Sequence, residues 1–162
     1  MYHIHPFQAN DLEAYRQMRL EALLTEAGNF GNSYAFEAAF SDDEWSKRLS
    51  NPYGCCFGLY RQDELIGITG IVSGADKPAE AYMTQSYIRK AYRGQGLSRM
   101  LYEARIAWAK ARGISCLIIG HRERNVISKA ANQCFGFTYT HQEDRIWPDG
   151  VSEPMLYYKL ML

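Results

Sequence analysis

The sequence lacks an excess of charge of either sign. Its 18 lysines and arginines are balanced by 18 aspartates and glutamates, so the formal net charge at pH 7 is zero. Proteins that bind nucleic acid or an anionic membrane surface generally need a strong basic excess. We therefore expect no nucleic acid and no membrane as the main partner, while a local basic patch could still form at Arg89, Lys90 and Arg93.

Long apolar runs and paired cysteines are also missing. No segment approaches the roughly 20 apolar residues of a membrane-spanning helix, and the first residues lack the basic flank and apolar run of a signal peptide. The sequence thus predicts a cytoplasmic protein. The four cysteines form no C-x-x-C pair, which favours reduced thiols and no metal site. A length of 162 residues, 47% of them hydrophobic, predicts one domain over residues 1–162.

Periodicity and turn residues predict an α/β fold. Strands are expected at residues 2–7, 55–60, 65–72, 79–88, 116–120, 137–142 and 155–162, and helices at about 11–24, 41–49, 96–112 and 125–133. Ser41 and Glu44 form a capping-box pattern, Gly113 marks a helix end, and residues 34–40 are ambiguous. One strand-helix-strand crossover among antiparallel strands predicts a mixed, mostly antiparallel sheet of about seven strands, with helices on both faces.

One loop, Arg93-Gly94-Gln95-Gly96-Leu97-Ser98, lies between a predicted strand and a predicted helix. Its glycines let the backbone approach an anion closely, and the free N–H groups and dipole of the following helix attract negative charge. On spacing alone, an ordinary strand-to-helix turn explains the loop equally well. A Walker loop is excluded because no Gly-Lys-Ser or Gly-Lys-Thr follows, and the glycine spacing does not fit a dinucleotide fingerprint.

Two segments in this order resemble the GCN5-related N-acetyltransferases. The loop of that family reads Gln or Arg, two residues, Gly, one residue, then Gly or Ala, and Arg93 to Ser98 departs from it only at Ser98. The second segment resembles the family's second cofactor helix and contains Asn125, Ser128, Ala131, Asn132 and Phe135-Gly136-Phe137. With the predicted order of strands and helices, the resemblance covers nearly the whole chain.

The resemblance implies an enzyme that moves an acetyl group from acetyl-CoA to a primary amine by direct attack in a ternary complex. The pantetheine arm would lie between two diverging strands, against backbone groups of Ser86, Tyr87 and Ile88. The pyrophosphate would lie on the amides of the loop, that is of Arg93, Gly94, Gln95, Gly96, Leu97 and Ser98. Asn125, Ser128 and Asn132 would contact the cofactor arm, and no metal is implied.

The expected catalytic residues depart from the family pattern. Many relatives carry a Glu where Tyr82 stands, so Glu80, two residues earlier on the same strand face, is the candidate base through a water; a solvated carboxylate at a strand end is the alternative. Many relatives carry a Tyr that acts as the acid toward the thiol at the position of Asn132. An Asn can only hydrogen-bond the sulfur or the pantetheine. Tyr139 or His121 could supply the acid, although a surface or loop-capping role also suits His121.

These departures favour a second hypothesis, a catalytically weak or inactive regulatory module that binds acyl-CoA. A longer acyl group than acetyl is also compatible with the loop. Homodimers are frequent in the family, so both a monomer and a homodimer fit the resemblance.

The amine acceptor, a small molecule or a protein, would lie between the N-terminal helices and the final hairpin. Those segments are rich in aromatic residues that could form a pocket wall or fill the core: Phe30, Tyr34, Phe36, Phe40, Trp45, Trp147 and Tyr157. They also contain acidic residues that could attract a positive amine, namely Glu37, Asp42, Asp43 and Glu44, although helix capping already accounts for the stretch from Ser41 to Glu44.

Overall fold

A seven-stranded sheet forms the centre of the computed structural model, which describes all 162 residues. The strands lie in the order β1-β2-β3-β4-β5-β7-β6, and every neighbouring pair is antiparallel except β4 and β5, which are parallel. This confirms the predicted mixed sheet. The strands are β1 (Tyr2–Pro6), β2 (Gly54–Arg61), β3 (Glu64–Ser73), β4 (Glu80–Ile88), β5 (Cys116–Arg122), β6 (Thr138–Ile146) and β7 (Ser152–Met161).

Helices cover both faces of the sheet. They are α1 (Leu12–Thr25), α2 (Tyr34–Ala38), α3 (Asp42–Ser50), α4 (Ser98–Ala111) and α5 (Val126–Cys134). On the face covered by α1 and α3, here the α1 face, the core includes Tyr15, Trp45 and Ile68. On the face covered by α4 and α5, here the α4 face, it includes Tyr102 and Leu117. None of the helices combines the length and apolar character needed to cross a bilayer.

Local sequence signals set several of these boundaries. The Oγ of Ser41 accepts a hydrogen bond from the N–H of Glu44 at 3.2 Å, and the Glu44 carboxylate accepts one from the N–H of Ser41 at 2.8 Å, which confirms the capping box. The ambiguous aromatic stretch forms α2, because the side chain of Ser33 caps its first turn. Gly113 follows α4 with a φ of +70°, as its predicted role requires.

Polar residues extend the last three strands beyond their predicted limits. β5 continues to Arg122, because the guanidinium of this buried residue is neutralised by Asp149 and Glu153 at 2.8 and 2.9 Å. β6 continues to Ile146 although almost all of its side chains are exposed. An exposed edge strand has no buried face, so it carries no alternation of polar and apolar residues to reveal its length.

β4 and β5 separate soon after they meet. Their ladder contains three residue pairs and ends at Tyr82 and Ile118. Beyond that point β4 contains a bulge, where Gln85 has a φ of +59° and the register with β3 shifts. A bulge bends its strand, so we attribute the opening of the gap between β4 and β5 to this extra residue.

Candidate functional site

The gap between β4 and β5 leaves one edge of β4 without a partner strand. Ser86, Tyr87 and Ile88 lie on this part of β4, beyond the last pair of the ladder. Main-chain groups on such an edge can bind an extended ligand that contains amides, as they would bind another strand. The side chain of Tyr87 is already engaged, because its hydroxyl bonds to Glu21 at 3.1 Å on the α1 face. Only its backbone is therefore free to bind a ligand.

The loop after β4 presents a row of free amides. The backbone N–H groups of residues 94–98 donate to no backbone carbonyl, and the 14-residue helix α4 begins at Ser98. Gly94 and Gly96 have φ values of +79° and +76°, and a Cβ added at either would meet no atom within 4 Å. Open space, free N–H donors and the helix dipole together fit the diphosphate of a coenzyme.

Arg93 differs from the other five loop residues. Its backbone N–H donates to the carbonyl of Lys90 at 3.2 Å, so this amide is not free. Its side chain donates to the carbonyl of Ile88 and to the carboxylate of Glu26. The Arg93 amide is therefore not free to bind a pyrophosphate, contrary to the prediction from the sequence. The Arg93 side chain instead links the loop to β4 and to the end of α1.

The second motif contains one cap and one buried amide. Asn125 caps α5, since its Oδ1 accepts a hydrogen bond from the N–H of Ser128 at 3.2 Å. Asn132 is buried, and its Oδ1 accepts a hydrogen bond from the hydroxyl of Tyr102 at 2.5 Å. The Nδ2 of Asn132 has no partner. A buried donor without a partner is unfavourable by about 1–3 kcal/mol, so this N–H₂ group suits a carbonyl or sulfur acceptor on a ligand.

His121 is buried on the α4 face, so the surface alternative is wrong for its ring. The ring stacks on Tyr158 with a centroid distance of 5.2 Å, and Nδ1 lies 2.7 Å from the carbonyl oxygen of Arg122. Burial lowers the pKa of His121, which favours the neutral ring. Nδ1 must then carry the proton to donate to the carbonyl, so the unpartnered Nε2 is a hydrogen-bond acceptor. Tyr139, the other candidate acid, is exposed on β6.

Tyr82 and Glu80 lie on the same face of β4. Tyr82 belongs to the last pair of the β4–β5 ladder and is 45% exposed, so it stands at the entrance to the gap. Glu80 lies at the first pair, with its carboxylate 3.9 Å from the Nζ of Lys159. Two residues of a strand span about 7 Å, so Glu80 lies outside the gap, one turn of the pleat before Tyr82.

Glu37 does not have the role that the sequence suggested. It is fully buried, and its carboxylate accepts hydrogen bonds from Arg19, Arg48 and Asn32. Burial alone would raise the pKa of Glu37, but the two guanidinium groups outweigh it and lower the pKa to about 2. The carboxylate is thus unavailable to an incoming amine, because it is already paired with Arg19 and Arg48, which no sequence pattern marks as its partners.

The predicted aromatic residues divide between core and surface. Trp45 and Trp147 are buried, and Trp45 packs edge-on against Tyr15, which is a core arrangement. Tyr34 and Phe36 are exposed on α2. Trp45 and Trp147 thus fill the core, which was the alternative to a pocket wall.

A cavity of about 290 Å³ lies on the α1 face next to the β4 bulge. Its walls include Arg19 of α1, Arg48 of α3, and Thr84 and Gln85 of β4, with β2 and β3 below them. No pattern in the sequence indicates this cavity, because its lining comes from five elements between α1 and β4 that meet only in the folded chain.

Comparison with solved structures shows that the whole fold is shared. The putative acetyltransferase yncA from Salmonella typhimurium, solved with its cofactor acetyl-CoA, superposes with a TM-score of 0.82 at 19% identity, covering 100% of this chain and 94% of that one. A GNAT-family acetyltransferase from Streptococcus pneumoniae gives 0.82 at 18% identity over 100% of both chains. The ribosomal-protein-S18-alanine N-acetyltransferase from Escherichia coli gives 0.74 at 20% identity, covering 99% and 94%.

Sequence comparison identifies the family directly. Curated protein sequences give no match to the chain. The profile of the acetyltransferase (GNAT) family matches residues 16–137, which include the loop of residues 93–98, the diverging strands and α5. The chain therefore belongs to the GNAT family of acetyltransferases.

Proposed function

We propose that this protein transfers the acetyl group of acetyl-CoA to a primary amine by direct attack in a ternary complex. The observation that carries the proposal is the row of free amides at residues 94–98, placed beside the unpaired edge of β4. Family membership supports the acetyl transfer, and the yncA structure contains acetyl-CoA. We also place the activity in the cytoplasm, as the sequence predicts.

Each part of the site has a separate task toward the cofactor. Acetyl-CoA supplies an acetyl thioester, whose carbonyl carbon is the electrophile. The amides of residues 94–98 would hold the pyrophosphate, and the edge of β4 near Ser86 to Ile88 would bind the pantetheine amides. The N–H₂ group of Asn132 would donate to an acceptor on the arm, with its Oδ1 held by Tyr102. Asn125 and Ser128 would border the arm at the start of α5.

The transfer needs a neutral amine and a route for its proton. The amine nitrogen forms a bond to the carbonyl carbon, the carbon–sulfur bond breaks, and the sulfur leaves as thiolate. Glu80 would take the amine proton through a water, and the hydroxyl of Tyr82 would orient the amine at the entrance to the gap. Asn132 would stabilise the departing sulfur by hydrogen bonding, so that no dedicated acid is required.

The test is release of CoA thiol from acetyl-CoA across a panel of amines, with mass spectrometry of the products. The panel should contain amino acids, polyamines, aminoglycosides and peptides with free N-termini. We expect one class to be acetylated on nitrogen with the thiol released in equal amount.

The second candidate function is a regulatory module that binds acyl-CoA without turnover. It is favoured by Tyr82 and Asn132, which stand where many relatives carry the base and the acid, respectively. Tight binding of acetyl-CoA by calorimetry, without thiol release on any amine, would support this module and reject the enzyme.

A further inference from the structure

The cavity on the α1 face lies beside the place where acetyl transfer would occur. Thr84 and Gln85 line it, and these residues follow the last β4–β5 pair at Tyr82 by two and three positions. Thr84 and Tyr82 lie on the same face of β4, about 7 Å apart along the strand. A molecule seated in the cavity could therefore extend an amine to the entrance of the gap.

The lining of this cavity carries an excess of positive charge. Arg19 and Arg48 both line it, and no aspartate or glutamate does. Glu37 neutralises only one of the two guanidinium groups and is fully buried outside the lining. This cluster of two arginines and one glutamate, in which Arg19 and Glu37 are buried and Arg48 is partly exposed, retains one positive charge, which an anionic ligand would balance.

One nitrogen of this cluster has no acceptor. Arg19 is only 5% exposed; its Nε and Nη2 donate to Glu37 at 2.9 Å each, while its Nη1 has no partner. Leaving a buried charged donor unpaired is costly, whereas a carboxylate can take up such N–H groups with good geometry. Arg19 thus brings a buried donor without a partner to the wall of the cavity, in addition to the net charge.

The neutral groups of the lining are compatible with an anion. The amide of Asn51 offers an N–H₂ donor and Thr84 offers a hydroxyl, while the N–H₂ group of Asn32 already gives one hydrogen to Glu37 at 3.0 Å. Gln85 accepts a hydrogen bond from the hydroxyl of Tyr15 on its Oε1 at 2.6 Å, and its N–H₂ group donates one hydrogen to the Sγ of Cys56 at 3.9 Å, which leaves the second hydrogen for a ligand.

We propose that the acceptor is a small primary amine that also carries a carboxylate, such as a free amino acid, and that Arg19 and Arg48 bind the carboxylate. This inference rests on the proposed acetyl transfer and narrows its substrate class. A cavity of about 290 Å³ suits a molecule of this size. A polyamine or an aminoglycoside would place further positive charge beside the two arginines, and an N-terminal peptide amine lacks a carboxylate close to its nitrogen.

The first experiment compares amines that differ only in the carboxylate. Each amino acid of a panel is assayed beside its carboxamide and beside the amine that remains when the carboxylate is removed. We expect the kcat/KM of the preferred amino acid to exceed that of its carboxamide by about 10- to 100-fold, as for loss of hydrogen bonds to a charged group. Equal rates on the acid and the carboxamide would overturn the proposal.

The second experiment tests the arginines. Arg48→Gln should raise the KM of the amino acid by about tenfold and leave that of its carboxamide unchanged, because only the former uses the charge. Arg48→Lys, which keeps a charge, should lie between wild type and Arg48→Gln. The control is Arg16→Gln on α1, whose partners are the exposed Glu13 and Asp42. Equal losses for acid and carboxamide in Arg48→Gln would reject a carboxylate site.

Binding without turnover separates this proposal from acetyl transfer itself. Protein saturated with CoA is titrated by calorimetry with the amino acids and with their carboxamides, after unfolding temperatures have established that each variant is folded. Binding of an acid but not of its carboxamide supports the site even if no amine is acetylated. Equal binding of both forms, or no binding of either, overturns it.

Discussion

Tyr102 on α4 donates a hydrogen bond from its hydroxyl to the Oδ1 of Asn132 on α5. Both residues are buried, and burial raises the pKa of Tyr102, which therefore stays protonated and acts as the donor. Since the phenol engages the oxygen of the amide, the orientation of the Asn132 side chain is fixed. Its N–H₂ group is left as a donor without a partner.

Removing the hydroxyl of Tyr102 should leave the side-chain amide of Asn132 free to change its orientation. We expect Tyr102→Phe to weaken acetyl-CoA binding by about 3- to 10-fold, the range for loss of one hydrogen bond. Calorimetric titration with acetyl-CoA measures this, with Tyr53→Phe as the control because Tyr53 is exposed outside this site. If Tyr102→Phe binds as tightly as wild type, the fixed amide has no part in cofactor binding.

Substitution of a loop glycine should separate cofactor binding from backbone strain. Gly96→Ala and Gly113→Ala both place a side chain at positive φ with no atom within 4 Å. Each should lower stability by about 1–2 kcal/mol. Only Gly96→Ala should weaken acetyl-CoA binding, by at least about tenfold, because its methyl group keeps the pyrophosphate away from the amides.

Calorimetry and urea unfolding on both alanine variants measure the two effects. Equal affinities of the two variants for acetyl-CoA would remove the loop from the cofactor site.

The buried carboxylate of Glu37 should make the fold sensitive to acid. Its pKa falls from 4.5 to about 2 on folding, which contributes on the order of 3 kcal/mol at neutral pH. Because the folded pKa is depressed, this stability is fully present above the unfolded pKa and is lost as pH falls through the folded pKa. We expect Glu37→Gln to be less stable than wild type at pH 7, with the difference shrinking between pH 5 and pH 2.

Urea unfolding at several pH values tests this expectation. Asp43→Asn is the matched control, since Asp43 forms an exposed pair with Lys47. Parallel pH profiles for wild type and Glu37→Gln would show that the buried carboxylate contributes no acid sensitivity.

If Glu80 is the general base, its removal should change the way in which turnover depends on pH. Glu80→Gln should lower kcat by about 100-fold at neutral pH, the low end for general base catalysis, and should flatten the rise of turnover with pH. Glu103→Gln on α4, which removes a carboxylate from an exposed pair with Arg99, is the control. An unaltered pH profile in Glu80→Gln would exclude this carboxylate as the base.

Structural features that depend on residues close together in the sequence were predictable. Features that depend on contacts between residues far apart in the sequence were not. The capping of α3 by Ser41 and the end of α4 at Gly113 follow from local hydrogen bonding and a positive φ. Glu37 appeared to be an exposed acid because its two arginines lie on other helices. The bulge at Gln85 was also hidden, because a glutamine with positive φ has no signature in the sequence.

The candidate site follows the same division. The loop glycines and Asn125 were found because they belong to short motifs, whereas Tyr102, Arg19 and Arg48 have no motif to mark them. Their roles depend on contacts with side chains of other helices and strands, and the periodicity of the sequence does not reveal such contacts.

The short ladder between β4 and β5 has a mechanical consequence. In the plane of the sheet, β1 to β4 and β5 to β7 form two half-sheets that are joined by three residue pairs ending at Tyr82 and Ile118. Because so few pairs join the two halves, a rotation about the last pair would change the width of the gap. A pantetheine that hydrogen-bonds along the gap would take the place of the absent strand segment, and would brace the two halves as well as deliver the acetyl group.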